Sequence, residues 1–264
     1  MRTKTLLLSA GALLAAGFVS SQAQPVYSQN IVGYATVATP GTGGTLYMQA
    51  CPFVIGVSNG ANEVYGLNVN SNNLPIGTQI LIWNATGPNA NTFSLYYYDP
   101  SYEGQGYGGW WDGSDENNNV PTPVLPPGQG YFFQPTANAT NTFAGTVAVS
   151  VGGTNKMSLT GSGGTLWMVG SVVPYAGDIT NANGLNLNNL AIGSQVLTWN
   201  ATGPNANSYT LSYWDPSYVS EGYGPWWDGS DENNNVPDPT LSVGNAFFVQ
   251  PSSNYQWVQT VPSN

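Results

Sequence analysis

The chain has 264 residues, a formal net charge of −10, three basic residues, one cysteine and no histidine. A surface rich in carboxylates and nearly without cations repels phosphate backbones and anionic headgroups, which excludes nucleic acid as a partner. The absence of histidine removes every Ser-His or Cys-His nucleophile and the commonest zinc ligand. A single cysteine rules out an intramolecular disulfide.

The N-terminus predicts export. Arg2 and Lys4 precede an apolar run from Leu6 to about Val19, and small residues follow at Ser21 and Ala23. This order is typical of a cleaved secretory signal, here over residues 1–23, and the run is shorter than the roughly 20 residues needed to cross a bilayer. We therefore expect an extracellular, cell-surface or periplasmic protein with no membrane span in its mature form.

The mature chain contains an internal repeat. Residues 76–121 and 192–237 align without gaps and are identical at 34 of 46 positions. Flanking matches extend the repeat in both directions, and the first copy is longer by four residues within 58–73. The repeat predicts two homologous domains, over 24–150 and 151–264.

Strand patterns fill both copies. In the first copy, residues 92–97 alternate between apolar and mostly hydroxylic side chains, and a Gly/Pro/Asn-rich connection at 84–91 separates them from a second such pattern at 80–83. Alternation with turn-rich connections is typical of hairpins. We therefore predict an all-β protein of two tandem homologous β-sandwich or open-barrel domains.

Three sequence motifs resemble those of a known group of proteins. The segment SQNIVGY at 28–34 is followed in each copy by an "IGT…W" type strand and by a Gly-then-aromatic strand at 130–133 or 244–248. This arrangement resembles uncharacterised exported tandem-repeat β proteins of planctomycete and verrucomicrobial bacteria. The resemblance implies the architecture over nearly all of the mature chain and brings no catalytic residue with it.

Ten of the thirteen acids fall in two matching stretches, and both contain the identical string WWDGSDENNNVP at 110–121 and 226–237. Clustered carboxylate and amide oxygens in a Gly-bearing segment suit Ca²⁺, although the spacing is not that of an EF-hand. A solvated turn held by side-chain to backbone hydrogen bonds is the alternative. The candidate calcium ligands are Asp112, Asp115, Glu116, Asn117, Asn119, Asp228, Asp231, Glu232, Asn233 and Asn235.

The same string is a candidate sugar site. Neighbouring residues on a strand face opposite ways, so one indole of each Trp pair is expected to pack inward and the other to face solvent. An exposed indole beside a tyrosine and several polar groups could stack on a pyranose ring, whereas packing alone is the alternative. The candidate ligand-binding residues are Tyr107, Trp110, Trp111, Tyr223, Trp226 and Trp227.

Catalysis is not expected, because the acids are local to one loop whereas a glycosidase holds two carboxylates at a fixed separation across a cleft. The sequence favours a secreted structural or adhesive protein, with calcium as its one candidate cofactor and a polysaccharide or an extracellular-matrix component as its partner. The strand-like segment at 30–37 could pair within the first domain or add to the edge of a neighbouring chain, which leaves self-association open.

Overall fold

The structure is a computed structural model that describes residues 32–40, 44–149, 152–161, 164–182 and 184–261. Strands account for 43% of the described residues and helices for 9%, so the all-β prediction is confirmed. None of the helices in these ranges is both long and apolar enough to cross a bilayer. The predicted signal segment 1–23 lies outside the described residues.

The described residues of the first half form nine strands, one short α-helix and two 3₁₀ helices. The strands are Val32–Thr39 (β1), Tyr47–Gln49 (β2), Phe53–Val54 (β3), Gln79–Asn84 (β4), Thr92–Tyr98 (β5), Trp110–Asp112 (β6), Asp115–Asn119 (β7), Tyr131–Gln134 (β8) and Ala139–Val147 (β9). The helix α1 spans Ala61–Val64, and the 3₁₀ helices span Ser71–Asn73 and Pro100–Gln105. They form a six-stranded sheet of order β2-β8-β4-β5-β6-β7 and a three-stranded sheet of order β1-β9-β3.

The second half repeats the larger sheet. Its strands are Thr154–Leu159 (β10), Trp167–Gly170 (β11), Gly177–Asp178 (β12), Gln195–Asn200 (β13), Ser208–Trp214 (β14), Trp226–Asp228 (β15), Asp231–Asn235 (β16), Thr240–Leu241 (β17), Ala246–Gln250 (β18) and Tyr255–Thr260 (β19), with a 3₁₀ helix at Pro216–Glu221. The six-stranded sheet has the order β11-β18-β13-β14-β15-β16, and the pairs β10-β19 and β12-β17 complete the half. All pairings in both halves are antiparallel.

The predicted hairpin between residues 80–83 and 92–97 is confirmed. β4 pairs with β5, and the connection closes where the Asn91 N–H donates to the Asn84 carbonyl at 2.8 Å. Asn91 has φ of 63°, a left-handed conformation that asparagine tolerates better than most residues. Residues 32–37 of the segment at 30–37 also pair within their own half, because β1 lies against β9.

Both faces of each six-stranded sheet are covered. One face of the first sheet contributes Ile80 and Ile82 to a core closed by the three-stranded sheet, through Phe53 and Phe143. The second half has its own core around Trp226 and Trp257. Ile82 is buried in the first core, although the matching position in the second copy is the polar Thr198.

The opposite faces of the two six-stranded sheets pack against each other. Met48 and Phe132 of the first sheet form one buried cluster with Met168 and Phe248 of the second. Edge-to-face contacts cross this layer reciprocally: Trp83 lies 5.5 Å from Phe248, and the Trp199 ring lies 5.3 Å from Phe132. An apolar layer shared by both halves is thus added to the two separate cores. The domain boundary at residue 150 stays a prediction.

The length difference between the copies falls in the surface connection that precedes β4. In the first copy this connection holds α1 and the 3₁₀ helix Ser71–Asn73, whereas the described part of the second copy's connection holds the short strand β12 and turns. Insertions are tolerated in such connections because they leave the sheet pairing intact.

Candidate functional site

The Trp-Trp pair of the repeated string lies on β6 and β15, where alternation sends the two indoles to opposite faces. Trp110 is 1% exposed, packs 5.2 Å from Tyr98 in the first core and donates its indole N–H to Asn62 Oδ1 at 2.7 Å. Trp111 is 6% exposed on the other face and donates to the Asp99 carbonyl at 3.0 Å. The prediction that one indole faces solvent is therefore wrong, in the second copy as well, where Trp226 and Trp227 are buried.

A 3₁₀ arm folds over the buried Trp111. Asp99 begins the arm by accepting the Ser101 N–H at 2.9 Å, and Pro100 fixes the first turn. Gly106 ends the arm in the left-handed region at φ of 91°, which reverses the chain. The arm therefore brings an aromatic residue from each side onto the face of the indole.

Two half-exposed tyrosines cover Trp111. The Tyr102 ring lies 5.5 Å from the Trp111 ring at an interplanar angle of 69°, and the Tyr107 ring lies 5.7 Å away at 39°. We call these three residues the first cradle. They open onto a cleft of about 440 Å³ whose other lining residues are Tyr97, Asp99, Gln105 and Asn117.

The second half builds the same arrangement, the second cradle, from Tyr218, Tyr223 and Trp227. The two tyrosine rings lie 5.4 Å and 5.7 Å from the Trp227 ring, at 67° and 40°. The exposed fractions also agree, at 45% for Tyr102 and Tyr218 and 51% for Tyr107 and Tyr223. Two matching aromatic sites are thus present on one chain.

The carboxylates of the acidic string hold turns. Asp112 Oδ1 accepts the Ser114 hydroxyl at 2.6 Å and the Ser114 N–H at 2.8 Å, and Asp115 Oδ1 accepts the Asn117 N–H at 3.1 Å. These donors, the Ser114 hydroxyl first, lower the pKa of Asp112. Asp228 and Asp231 repeat the bonds, and the pKa of Asp228 is lowered in the same way.

Asn119 clamps the segment that carries Tyr107. Its Nδ2 donates to the carbonyls of Gly108 and Trp110 at 2.8 Å each, and its Oδ1 accepts the Gly108 N–H at 3.0 Å. Asn235 makes the equivalent bonds in the second half. Because its amide is engaged in this way, Asn119 positions the segment that carries Tyr107.

Among the described side chains, the acids of the string do not gather into a metal group. Calcium requires six to eight oxygens that converge on one point. One oxygen of Asp112 and one of Asp115 already accept backbone N–H bonds, and within the described ranges no three acidic or cysteine side chains gather as a metal group. The side chains of Glu116 and Glu232 are not among those described, and calcium binding stays an untested prediction.

The structure thus divides the predicted ligand residues. Trp110 and Trp226 belong to the cores, Trp111 and Trp227 form the floor of a cradle, and Tyr107 and Tyr223 each form one wall. Sequence reasoning missed the second wall, Tyr102 and Tyr218. The sequence does carry a signal for it, because DPSY occurs identically in both copies.

Comparison of the chain with protein-family models, with curated proteins and with solved structures gives no match. The resemblance to exported tandem-repeat proteins therefore stays a prediction, and function rests on the geometry of the two cradles.

Proposed function

We propose that this chain is an exported, non-catalytic adhesive protein that binds a neutral polysaccharide through its two cradles. The observation that carries the proposal is the pair of half-exposed tyrosines over a buried tryptophan, repeated with nearly identical ring distances in both halves. Two copies of one site on one chain suit a ligand that is itself a repeating polymer.

The cleft beside the first cradle combines the two kinds of contact that a sugar requires. The exposed faces of Tyr102 and Tyr107 offer apolar surface to the C–H face of a pyranose ring. Gln105 and Asn117 at the same cleft supply amide donors and acceptors for hydroxyl groups, and Asp99 supplies an acceptor. A few placed polar groups around an aromatic floor are the usual composition of a small-molecule site.

The charge of the protein is compatible with such a ligand. One lysine against thirteen acids gives the expected mature chain a net charge of −12, which disfavours polyanions. A neutral polysaccharide avoids this repulsion, and binding should then depend weakly on salt.

Two sites per chain should give avidity. On a long polysaccharide the second contact is intramolecular, so the apparent affinity exceeds that of either cradle when the ligand spans both. On an oligosaccharide too short to span them, each cradle should bind independently.

A pull-down with insoluble neutral polysaccharides, followed by calorimetry with soluble oligosaccharides, tests the proposal. Tyr107→Ala should halve the number of oligosaccharides bound per chain, Tyr223→Ala should do the same, and the double variant should bind none. Retention on the polymer should fall by about a hundredfold in each single variant, because avidity is lost. Tyr34→Ala is the control, since Tyr34 is 80% exposed on β1, outside both cradles.

Full binding by the double variant, or equal losses in the Tyr34 control, would contradict the assignment of the cradles. The calcium prediction is tested in the same experiments by adding millimolar Ca²⁺ or chelator. A melting temperature that rises with Ca²⁺ and falls with chelator would support it.

A second candidate, assembly into a matrix, is favoured by β1. Within the described residues β1 pairs only with β9, and its Val32 and Tyr34 are 75% and 80% exposed. A strand with one open edge and exposed apolar side chains can add to a neighbouring chain. Chain association that increases with concentration on a sizing column and is abolished by Val32→Lys would support this role, whereas a monomer at all concentrations would exclude it.

A further inference from the structure

We infer that the two cradles differ in their attraction for a charged sugar: both take a neutral sugar, and the second favours one that carries a protonated amine. This inference rests on the proposed function and names the ligand class of each site. It starts from the few positions at which the two sites differ.

The residues around the cradles are nearly the same in both halves. Tyr97, Asp99 and Asn117, which line the first cleft, correspond to Tyr213, Asp215 and Asn233. Within residues 99–121 and 215–237 all differences fall in the last half of the 3₁₀ arm and just after it: Glu103, Gly104, Gln105 and Gly109 become Val219, Ser220, Glu221 and Pro225.

One group of these differences occurs together. A Cβ atom at Gly109 would meet Glu103 Oε1 and Tyr98 Cε2 at 2.9 Å each, so a proline at this position requires these side chains to shift. In the second copy Pro225 occurs with Val219 and Trp214 at the two matching positions. Glu103 lines a different cleft, on the Trp110 side of Tyr107, so this exchange does not alter the ligand face of the cradle.

The exchange of Gly104 for Ser220 meets no neighbour, because a Cβ at Gly104 has nothing within 4 Å. The remaining exchange, Gln105 for Glu221, is the one at the ligand cleft. Gln105 lines the first cleft, and Glu221 ends the second arm at the same position, followed by a glycine of matching conformation at φ of 95° against 91°. The second cradle therefore has one more carboxylate at its rim.

That carboxylate has no cation from the protein to balance it. Lys156 is the only basic residue in the described ranges, and it lies on β10, paired with β19. A ligand ammonium would be attracted by Glu221 and by the faces of Tyr218 and Tyr223, since a cation within about 6 Å of an aromatic ring is stabilised by it. The first cradle offers the same rings and the matching carboxylate, Asp99, but a neutral amide in place of Glu221, so its attraction for an ammonium is weaker by one charge pair.

The experiment compares a chitosan oligosaccharide, which carries free amines, with the matching fully N-acetylated chitin oligosaccharide on the full chain. Tyr107→Ala leaves only the second cradle, which should prefer the amine ligand by about two- to fivefold at low salt, the scale of one exposed charge pair. Tyr223→Ala leaves only the first cradle, which should show a smaller preference for the amine.

Exchange of the single differing residue gives the matched controls. In the Tyr107→Ala background, Glu221→Gln should lower the preference to that of the first cradle, and in the Tyr223→Ala background, Gln105→Glu should raise it to that of the second. A preference unchanged by Glu221→Gln would overturn the inference, as would equal binding of both ligands by the second cradle. If neither oligosaccharide binds the wild-type chain, and a panel of neutral polysaccharides also fails, the proposed function itself is wrong.

Discussion

The indole nitrogen of Trp83 lies 2.7 Å from the carbonyl oxygen of Leu166, and this bond crosses from the first half to the second. In the opposite direction, the indole N–H of Trp199 in the second half donates to the carbonyl of Leu46 in the first, also at 2.7 Å. The two bonds are related by exchange of the halves, as in an isologous interface between identical subunits. The interface thus has the form that duplication of a self-complementary unit would produce.

Trp83→Phe should destabilise the chain, because it leaves the Leu166 carbonyl without its indole donor inside the shared apolar layer. The expected loss is about 1–3 kcal/mol, measured as a shift in the urea midpoint, and Trp199→Phe should match it. Trp167→Phe is the control, since Trp167 donates to the Thr160 carbonyl at an exposed site and should cost less. Equal losses of stability in all three variants would show that the two bonds between the halves contribute no more than an exposed bond does.

The sequence predicted the strands well and the shared layer poorly. Alternation in residues 92–97 identifies β5, and the Asn/Gly/Pro connection identifies its hairpin, because both signals are local. The pairing of Trp83 with the second sheet joins positions 83 residues apart, and nothing in the local pattern reveals it. Alternation along the strands indicated one exposed face, whereas both faces of the sheet are covered in the structure.

The candidate site was predicted in part for the same reason. The identical strings drew attention to Trp111 and Tyr107, which do form part of the first cradle. The exposure of the indole depends on the arm that carries Tyr102, which is eight residues before β6 and folds back over it. A contact made by such a fold-back is tertiary, so strand alternation predicted an exposed face where the structure has a covered one.

Gly113 is retained in both copies because a side chain has no room there. A Cβ at Gly113 would lie 2.1 Å from Leu95 Cγ, and the matching distance from Gly229 to Leu211 Cγ is 2.2 Å. Gly113→Ala should therefore cost about 1–3 kcal/mol through overpacking, seen as a lower melting temperature. Gly104→Ala is the control and should be neutral, as open space surrounds that position. An unchanged melting temperature for Gly113→Ala would show that Leu95 moves freely.

Asn119→Asp should loosen the first cradle while adding little bulk. The change replaces an amide that donates to the Gly108 and Trp110 carbonyls with a carboxylate that faces both of them. Loss of the partly buried bond to the Trp110 carbonyl and of the exposed bond to the Gly108 carbonyl should cost about 1–3 kcal/mol and weaken sugar binding at this cradle alone. Asn72→Asp, at an exposed position on the 3₁₀ helix Ser71–Asn73, adds the same charge and serves as the control. If Asn119→Asp binds sugar with the affinity of the wild type, Asn119 does not hold the first cradle in place.

Glu63 should make the stability of the first half depend on acid pH. Its carboxylate accepts the backbone N–H groups of Val57 at 2.8 Å, Ser58 at 3.0 Å and Gly60 at 3.2 Å, together with the Ser58 hydroxyl. These bonds, that from Val57 first, lower the pKa of Glu63 from 4.5 to about 2. The second copy has turns where the first has α1, so it offers no equivalent carboxylate.

Because the folded pKa lies below the unfolded one, the stabilisation is complete above pH about 4.5 and is lost as the pH falls toward about 2. Glu63→Gln removes the charge at every pH, so its urea midpoint should lie below that of the wild type at neutral pH. The difference between the two midpoints should then shrink across the window from about 4.5 to about 2. A difference that stays constant through this window would mean that the carboxylate charge plays no part in holding the Val57–Gly60 turn, and that the shape of the side chain alone accounts for the loss.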